Sequence, residues 1–461
     1  MNPLYGSDYT NRVVMSLMYQ GLFAVDSKNN TTPILCSQYQ VTPDNRTWTI
    51  YLEPNATFSD GTRVTVQDVV ASYEQARQNV YYKGRFTHIA RVELSSDGGV
   101  DFFLDTPYQN LALLLDIPIV KASEVTADNP LGTGPYSLED GIGGKHLQRV
   151  VNWWCSSDDL VAKDSSIALV EAESPSQIRD EFEFSGLSVV CTNPQTDSYA
   201  DYRCDFELWE VDSGFMMYIG CNVTYSKFFD DGTLRTFLTY GIDRQTLVDD
   251  NYGGLALPTT LPISPMSPYY SKSLATNYDY DGMRFIDAAS KFRVPTNDKG
   301  VPRTLQLLVN SDDSARLRCA RNIAATLTEL GLACETVESP TSVYEARLQA
   351  ANYDIYLGIT KLPTTADLSE FYRPWGEMSW GGLANETIYN MVNQSLADRG
   401  NYYNLHKLVA DDGRIIPVMA GYYAIYAKRG VLSDLNPARD NVFYYTLGKT
   451  MESSKVATQF S

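Results

Sequence analysis

The sequence predicts an α/β protein of more than one domain, and three observations carry that expectation. The chain has 461 residues, more than one small core organises, so two or three domains are expected. Between positions 303 and 359, strand-like and helix-like patterns alternate in the order β-α-β-α-β, which implies a lobe with a largely parallel sheet. Between Thr47 and Ala76, the sequence TWTIYLEPNATFSDGTRVTVQDVVASYEQA reads as a strand, a turn and a capped helix.

In chain order, Asn11 to Leu22 has a helical pattern, with Val14, Leu17, Met18 and Leu22 on one face. Thr47 to Leu52 alternates bulky residues as a strand does. Ser59-Asp60-Gly61-Thr62 is a turn in which Gly61 is free to take positive φ. Thr65 and Asp68 form a T-x-x-D helix start, whose two ends satisfy each other's backbone donors. Val69, Val70, Tyr73 and Ala76 give that helix its apolar face. Ala90–Leu94 and Val100–Leu104 read as strands joined by the turn Ser96-Asp97-Gly98-Gly99, and Leu111–Leu115 as a short apolar helix piece.

The segment Asn129-Pro130-Leu131-Gly132-Thr133-Gly134-Pro135-Tyr136 marks a tight crossover. It is not a phosphate loop, because the rest of that spacing and its lysine are missing. Phe215 to Cys221 is a buried strand by its apolar run. Asp231 can cap a following helix that presents Leu234, Phe237, Leu238 and Ile242, and Asp243 and Arg244 are expected to pair at a helix end. RTLQLLVN is then a strand. The helix after it carries Leu317, Ala320, Ile323, Ala324, Leu327 and Leu330 on one stripe, with Gly331 as its stop. ACETVES, SVYEARLQAAN and YDIYLGI follow as strand, helix and buried strand, and the chain closes on a helix near His406 and the run IIPVMAGYYAIYAKRGV.

Composition excludes several classes. The net charge is −19 and no cluster of Lys and Arg is visible, which argues against nucleic-acid binding. No run of about 18 apolar residues appears, so no helical membrane span is expected. His88, His146 and His406 are the only histidines, and their spacing suggests no metal site. Of seven cysteines, Cys191 and Cys204 flank a polar segment and could staple a loop, whereas Cys319 and Cys334 look out of register for a bridge. The 32 tyrosines suit a ligand cleft, since an aromatic ring supplies stiff contact area and a polar tip. Neither G-x-S-x-G nor H-E-x-x-H occurs.

The order F-S-D-G-T-x-x-T-x-x-D-V-x-x-S-Y from Phe58 to Tyr73 resembles the signature of family 5 extracellular solute-binding proteins, the dipeptide- and oligopeptide-binding components of ABC importers. Leu17 to Phe23 (LMYQGLF), the G-T-G-P-Y element at Gly132–Tyr136, and Gly241-Ile242-Asp243-Arg244 with Gly253-Gly254 and Pro258 resemble further blocks of that family in family order. The resemblance implies a bilobed, periplasmic-binding-protein-like α/β fold with an additional small inserted domain. Residues 1–35, 131–235 and 426–461 would form the first lobe, 36–130 the insertion and 236–425 the second lobe.

It implies a solute-binding component that captures peptides in an interlobe cleft and delivers them to ABC permease subunits, without catalysis and without a cofactor. A monomer is expected. An extracytoplasmic location is implied, in the periplasm or at the cell surface, with an export segment and lipid anchor in the precursor. Met1-Asn2-Pro3 has neither a basic start nor an apolar region of its own, and the chain opens at a match to the early L-x-P element, so the first strand typical of such proteins is expected to be absent.

In peptide-binding relatives an acidic residue after the last parallel strand pairs with the peptide α-amino group; here Asp367 is the candidate, although Lys361-Leu362-Pro363 replaces the tryptophan-led pattern. Asp367 can equally cap the helix LSEFY. Trp375 and Trp380, in the same Gly-rich loop, are candidate cleft-lining residues, and Arg373 could meet a carboxylate bidentately. Tyr5 and Asn222 occupy positions that face the cleft in relatives. After Val309 the chain reads Asn310-Ser311-Asp312-Asp313, without an arginine for the carboxylate clamp of dipeptide binders. The alternatives are a binder of a nickel or other metal chelate on the same fold, a sensing module, and a secreted hydrolase such as a glycosidase, for which no carboxylate pair stands out.

Overall fold

The computed structural model describes residues 1–5, 8–141, 144–155, 165–172, 174–195, 202–432 and 435–443. The chain divides into two compact units, Met1–Val211 with Tyr423–Ser461, and Asp212–Tyr422.

In unit 1, β1 (Phe23–Val25) and β2 (Thr31–Pro33) form a hairpin. β3 (Cys36–Val41), β4 (Thr47–Leu52), β5 (Ile89–Leu94) and β6 (Val100–Leu104) form an antiparallel sheet in the order β3-β4-β6-β5. This sheet and the helix Val66–Arg77 are the predicted strand–turn–helix and hairpin. The capping box forms as expected, with Thr65 N–H donating to Asp68 Oδ2 at 2.7 Å, and Gly61 takes φ +80° in the turn. β7 (Tyr136–Gly141), β8 (Gly144–Arg149) and β9 (Ser166–Ala168) make a third sheet. β10 (Val189–Thr192) closes the strand list of this unit up to the crossing.

The first helix runs from Tyr9 to Ser16 and stops well before Leu22. The reason is tertiary. The carbonyls of Leu17 and Met18, which a longer helix would use internally, accept the N–H groups of Tyr136 and Gly134 at 3.2 and 2.8 Å. A Cβ on Gly132 would lie 2.1 Å from Met18 O, and one on Gly134 2.5 Å from Met18 C. The glycines of the G-T-G-P-Y element are thus required by a close backbone approach, and Leu17, Met18 and Leu22 are buried in irregular structure.

The chain leaves unit 1 inside β11 (Phe206–Cys221). The strand is longer than the apolar run Phe215–Cys221 that announced it. Unit 2 adds β12 (Leu257–Pro258), β13 (Leu305–Asn310), β14 (Cys334–Ser339), β15 (Ile355–Lys361) and β16 (Ile415–Lys428), the last carrying the chain back at Tyr422. The strand order is β16-β11-β15-β13-β14, with β12 paired to β16 and β10 to the far end of β16. β13 is parallel to both β14 and β15, while β11 is antiparallel to β15, Phe215 facing Lys361 and Cys221 facing Ile355. The predicted β-α-β-α-β order is present, the helices being Ser314–Glu329 and Thr341–Gln349.

The residues 212–235, expected in the first lobe, belong to unit 2: Met217, Ile219, Cys221, Phe228, Phe229 and Leu234 all sit in its core. The crossing falls within a continuous strand, where composition leaves no mark. Arg244 also departs from expectation. It does not pair with Asp243, which instead caps the helix Arg244–Tyr252 by accepting from Thr246 N–H. All seven cysteines, including Cys191 and Cys204, are free thiols.

His406 lies on the helix Tyr402–Asp412, fully buried, with no hydrogen-bond partner for either ring nitrogen among the described residues. Burial pushes its pKa down from 6.5 to about 3. Its folded value is therefore below its unfolded value, so the unfolded chain binds more protons between those pH values. Stability is full above pH 6.5 and falls with pH through that window, by on the order of 1–3 kcal/mol at pH 4. Denaturant melts at pH 7 and pH 4 should show this extra acid loss in the wild type and its absence in His406→Phe. Equal losses in the two proteins would show that His406 takes up its proton as readily in the fold as in the unfolded chain.

Candidate functional site

The carboxyl ends of β13, β14 and β15 form one edge of the unit 2 sheet, the edge at which open α/β sheets take their ligands. Asn310 ends β13 there and is buried; its Nδ2 donates to Thr341 Oγ1 at 3.0 Å. The next helix begins at once, capped by Asp313, which accepts from Arg316 N–H at 3.0 Å. Arg316 therefore stands in the first turn of a 16-residue helix, where the helix N-terminus favours a negative partner.

Its surroundings are unusual for a charged residue. Arg316 is 6% exposed, its guanidinium lies 5.3 Å from the ring centre of Tyr344, and its nearest carboxylate, Asp313, is 3.7 Å away. Tyr344 is itself fixed by donating to Leu357 O at 3.0 Å. A largely buried guanidinium, backed by an aromatic face and with a loose carboxylate partner, can take a ligand carboxylate by two parallel N–H···O bonds. Sequence reading stopped at Asp313 and missed it. The signal was there: counting back four residues from Ala320 along the buried stripe Ala320, Ile323, Ala324, Leu327 gives Arg316, which takes the buried position while Leu317 is only partly covered.

Asp367 lies beyond the carboxyl end of β15, 8% exposed, and its Oδ1 accepts from Ser369 N–H at 2.8 Å. This is a turn contact ahead of the helix Ser369–Tyr372, whose cap position is Leu368 and carries no side-chain cap bond, so Asp367 is not the cap foreseen for that helix; by chain order it follows the same edge as Arg316. Arg373 pairs with Glu370 at 2.7 Å, so its charge is already met on the surface of its own short helix. Trp375 is 98% exposed at φ +62°.

Asn222 is at the other end of the sheet. It follows Cys221, which faces the first residue of β15, and it is fully buried. Its Nδ2 donates to Ala351 O and Tyr353 O at 2.9 and 2.8 Å, and its Oδ1 accepts from Tyr225 N–H at 3.0 Å. The loop at Trp380 docks on the same end, Gly381 O accepting from Val223 N–H at 2.9 Å. The seven residues of β15 rise roughly 3.3 Å each, so about 20 Å separates this end from the carboxyl end of the strand at Lys361. The antiparallel direction of β11, which no single-strand pattern reveals, sends Asn222 there to hold the backbone.

Unit 1 holds a small recess of about 50 Å³, partly open to solvent. Tyr5 is 51% exposed at the end of the turn Pro3–Tyr5 and is not among the residues that line the recess, whereas Pro3 is. Arg12, on the first helix, donates to Tyr423 OH at 2.9 Å and covers the Tyr81 ring at 4.3 Å. Arg85 donates through Nη2 to Asp440 Oδ2 at 2.7 Å and to Asp116 Oδ2 at 3.3 Å. Asp440 also accepts from Tyr81 OH and lies 3.8 Å from Arg12. Burial pushes the Asp116 carboxyl up to about 6, against the opposing pull of Arg85. None of these four charged residues was singled out from sequence, because their positions converge only in three dimensions.

Among the described residues no three His, Cys, Asp or Glu side chains are placed to hold a metal ion, and no helix is long and apolar enough to cross a membrane.

Comparison with known proteins places this geometry in a family. The chain is 25% identical over 301 residues to the glutathione-binding protein GsiB of Escherichia coli O6:K15:H31, a match that covers 60% of this chain and spans 57% of that relative's length. A putative peptide binding protein, AppA from Clostridium difficile, superposes with a TM-score of 0.74 at 15% identity over 95% of both chains. NikA from Brucella suis, crystallised with Fe(III)-EDTA, superposes with a TM-score of 0.73 at 17% identity over 96% of both chains. These likenesses show an α/β fold of the periplasmic-binding-protein type. The model of the bacterial extracellular solute-binding proteins, family 5, matches residues 30–382, and the chain belongs to that family.

Proposed function

We propose that this protein captures a peptide outside the cytoplasm and hands it to the permease of an ABC importer, binding without turnover, as a monomer and with a lipid anchor in its precursor. The observation that carries the peptide reading is the presence of Arg316 and Asp367 on one edge of the unit 2 sheet: a buried cation for a terminal carboxylate and a buried anion for a terminal ammonium. Trp375 and Arg373, on the loop after Asp367, would supply outer contacts on unit 2, and Tyr5 would be a contact residue of unit 1. Asn222 and Trp380 would support the fold at the opposite edge. The glutathione-binding relative and the peptide-binding structural neighbour support a peptide-like solute.

A thermal-shift screen of di- to hexapeptides tests the reading, since a ligand that binds only the native state raises the melting temperature. Asp367→Asn keeps the oxygen that accepts from Ser369 N–H and removes the charge. It is expected to weaken binding of a peptide with a free amino terminus by more than about tenfold, the loss of one charge-assisted hydrogen bond. Titration calorimetry with free and N-acetylated forms of the best peptide checks this. Unchanged affinity for the free form would remove Asp367 from the site.

A second reading is favoured by Arg316 alone, because the carboxylates of a metal chelate suit a guanidinium as well as a peptide terminus does. Hits confined to chelates in the same screen would select it, and Asp367→Asn would then leave affinity intact.

A further inference from the structure

The turn Arg373-Pro374-Trp375-Gly376 in unit 2 holds a large aromatic residue in a backbone conformation that disfavours it. Trp375 takes φ +62°. Six non-glycine residues among those described have positive φ; three are asparagine, which tolerates the left-handed region, two are alanine, and Trp375 is the only bulky one. The turn closes with Gly376 N–H donating to Arg373 O at 3.1 Å. With proline ahead of it, Trp375 stands where glycine or asparagine is the usual choice.

The tip is rigidly mounted on Glu370. Its Oε1 pairs with Arg373 at 2.7 Å, its Oε2 accepts from Glu377 N–H at 2.9 Å, and its carbonyl accepts from Met378 N–H at 3.1 Å. A Cβ on Gly376 would lie 2.2 Å from that same carbonyl, so the turn packs down on it. The indole stands away from this mount, 98% exposed, with no hydrogen bond or ring contact among the described residues. Backbone strain and an uncovered indole both cost stability, and no contact among the described residues offsets either. A partner that covers the ring would.

Charge selects the partner. From Lys361 to Glu386 the charged residues are Lys361, Asp367, Glu370, Arg373, Glu377 and Glu386, two cations against four carboxylates, and Arg373 is held by Glu370. The whole chain carries −19. Of the aromatic faces, indole attracts a cation best, and acidic surroundings add to its pull. A lipid surface also takes exposed tryptophan, but anionic lipid repels an acidic protein face. We propose that Trp375 is the specificity residue of a subsite for a cationic side chain of the captured solute, a lysine ammonium or an arginine guanidinium seated on the indole face. The assignment rests on the peptide-capture reading and adds to it the chemistry of one side chain of the peptide.

Trialanine with lysine or norleucine at each position in turn tests it, since the two side chains are of nearly equal length and only one is charged. Calorimetric titration of the intact protein is expected to show lysine ahead of norleucine at one position. Trp375→Leu, which removes the π face at an exposed site, should cut that ratio by about threefold or more, and Trp375→Phe should cut it less. Trp375→Gly should melt no lower than the wild type, because glycine takes positive φ without strain, and should lose as much of the ratio as Trp375→Leu. An unchanged ratio in Trp375→Leu, or norleucine level with lysine at every position, overturns the assignment. Co-sedimentation with phosphatidylcholine–phosphatidylglycerol vesicles that Trp375→Leu abolishes, with the ratio unmoved, makes the residue a membrane contact instead. Silence of every tripeptide sinks the subsite as well; the capture reading then stands or falls on its own screen of di- to hexapeptides.

Discussion

Arg316→Ala is expected to weaken binding of a peptide with a free carboxyl terminus by about a hundredfold or more, the cost of a bidentate, largely desolvated guanidinium–carboxylate pair. The structural premise is the 6% exposure of Arg316 and a carboxylate no nearer than 3.7 Å. A guanidinium in that position has already lost most of its water, so a ligand carboxylate gains the interaction without paying again for the cation's desolvation. Truncation leaves a gap against Tyr344, and some stability will be lost with it.

Binding and packing can be separated. With a C-terminally amidated peptide the wild type already lacks the ion pair, so Arg316→Ala should cost that ligand about tenfold at most, and the difference between the two losses is the coupling of guanidinium to carboxylate. Arg316→Lys keeps the charge but not the planar fork, and should recover only part of the affinity. Equal losses for acid and amide would make Arg316 a packing residue of the first helical turn and leave the carboxylate anchor unassigned.

The limits of the sequence reading have physical causes that differ from place to place. The alternation between 303 and 359 was legible because each element buries one face against a single sheet, so its period is written in its own residues. The first helix ended early because Gly134 and Tyr136, more than a hundred positions away, take the carbonyls of Leu17 and Met18. No local pattern encodes that. Asn222 was misplaced because a strand pattern has no direction, and an antiparallel β11 delivers its end to the amino edge of β15. Trp375 shows that aromatic content in a glycine-rich loop does not imply cover, since the side chain is 98% exposed. Arg316 was legible in principle, as the charged residue on an apolar stripe. Arg12, Arg85, Asp116 and Asp440 were not, because they come from four separate stretches of chain and only the fold gives them a common wall.

Arg244→Met is expected to destabilise unit 2 by about 3–5 kcal/mol, because several buried oxygens lose their donor at about 1–3 kcal/mol each, which for a unit of 150–250 residues lowers its melting temperature by on the order of 10 °C. The residue is 4% exposed, and its hydrogen-bond partners are oxygens of neutral groups. Nε donates to Pro417 O at 2.8 Å, Nη1 to Thr239 O and Ile242 O at 3.2 Å each, and Nη2 to Thr239 Oγ1 at 2.8 Å. Burial pulls its pKa down to about 10, which leaves it charged at neutral pH. Methionine fills a similar volume, so the loss would come from the stranded carbonyls rather than from a cavity.

The neighbours give the Gly241-Ile242-Asp243-Arg244 block the same purpose. A Cβ on Gly241 would lie 2.7 Å from the Phe285 ring, Ile242 is 1% exposed, and Asp243 caps the helix. Arg244 then ties that helix start to Pro417 in β16, the strand by which the chain leaves unit 2. Arg244→Lys should recover less than half of the loss, since an ammonium cannot reach oxygens spread around a planar fork. Calorimetric melts of the three proteins check the order. If Arg244→Met melted with the wild type but lost solute binding, the block would have to be reassigned from holding the sheet to holding the ligand; a large loss of stability with binding retained at low temperature would identify it as a structural clasp.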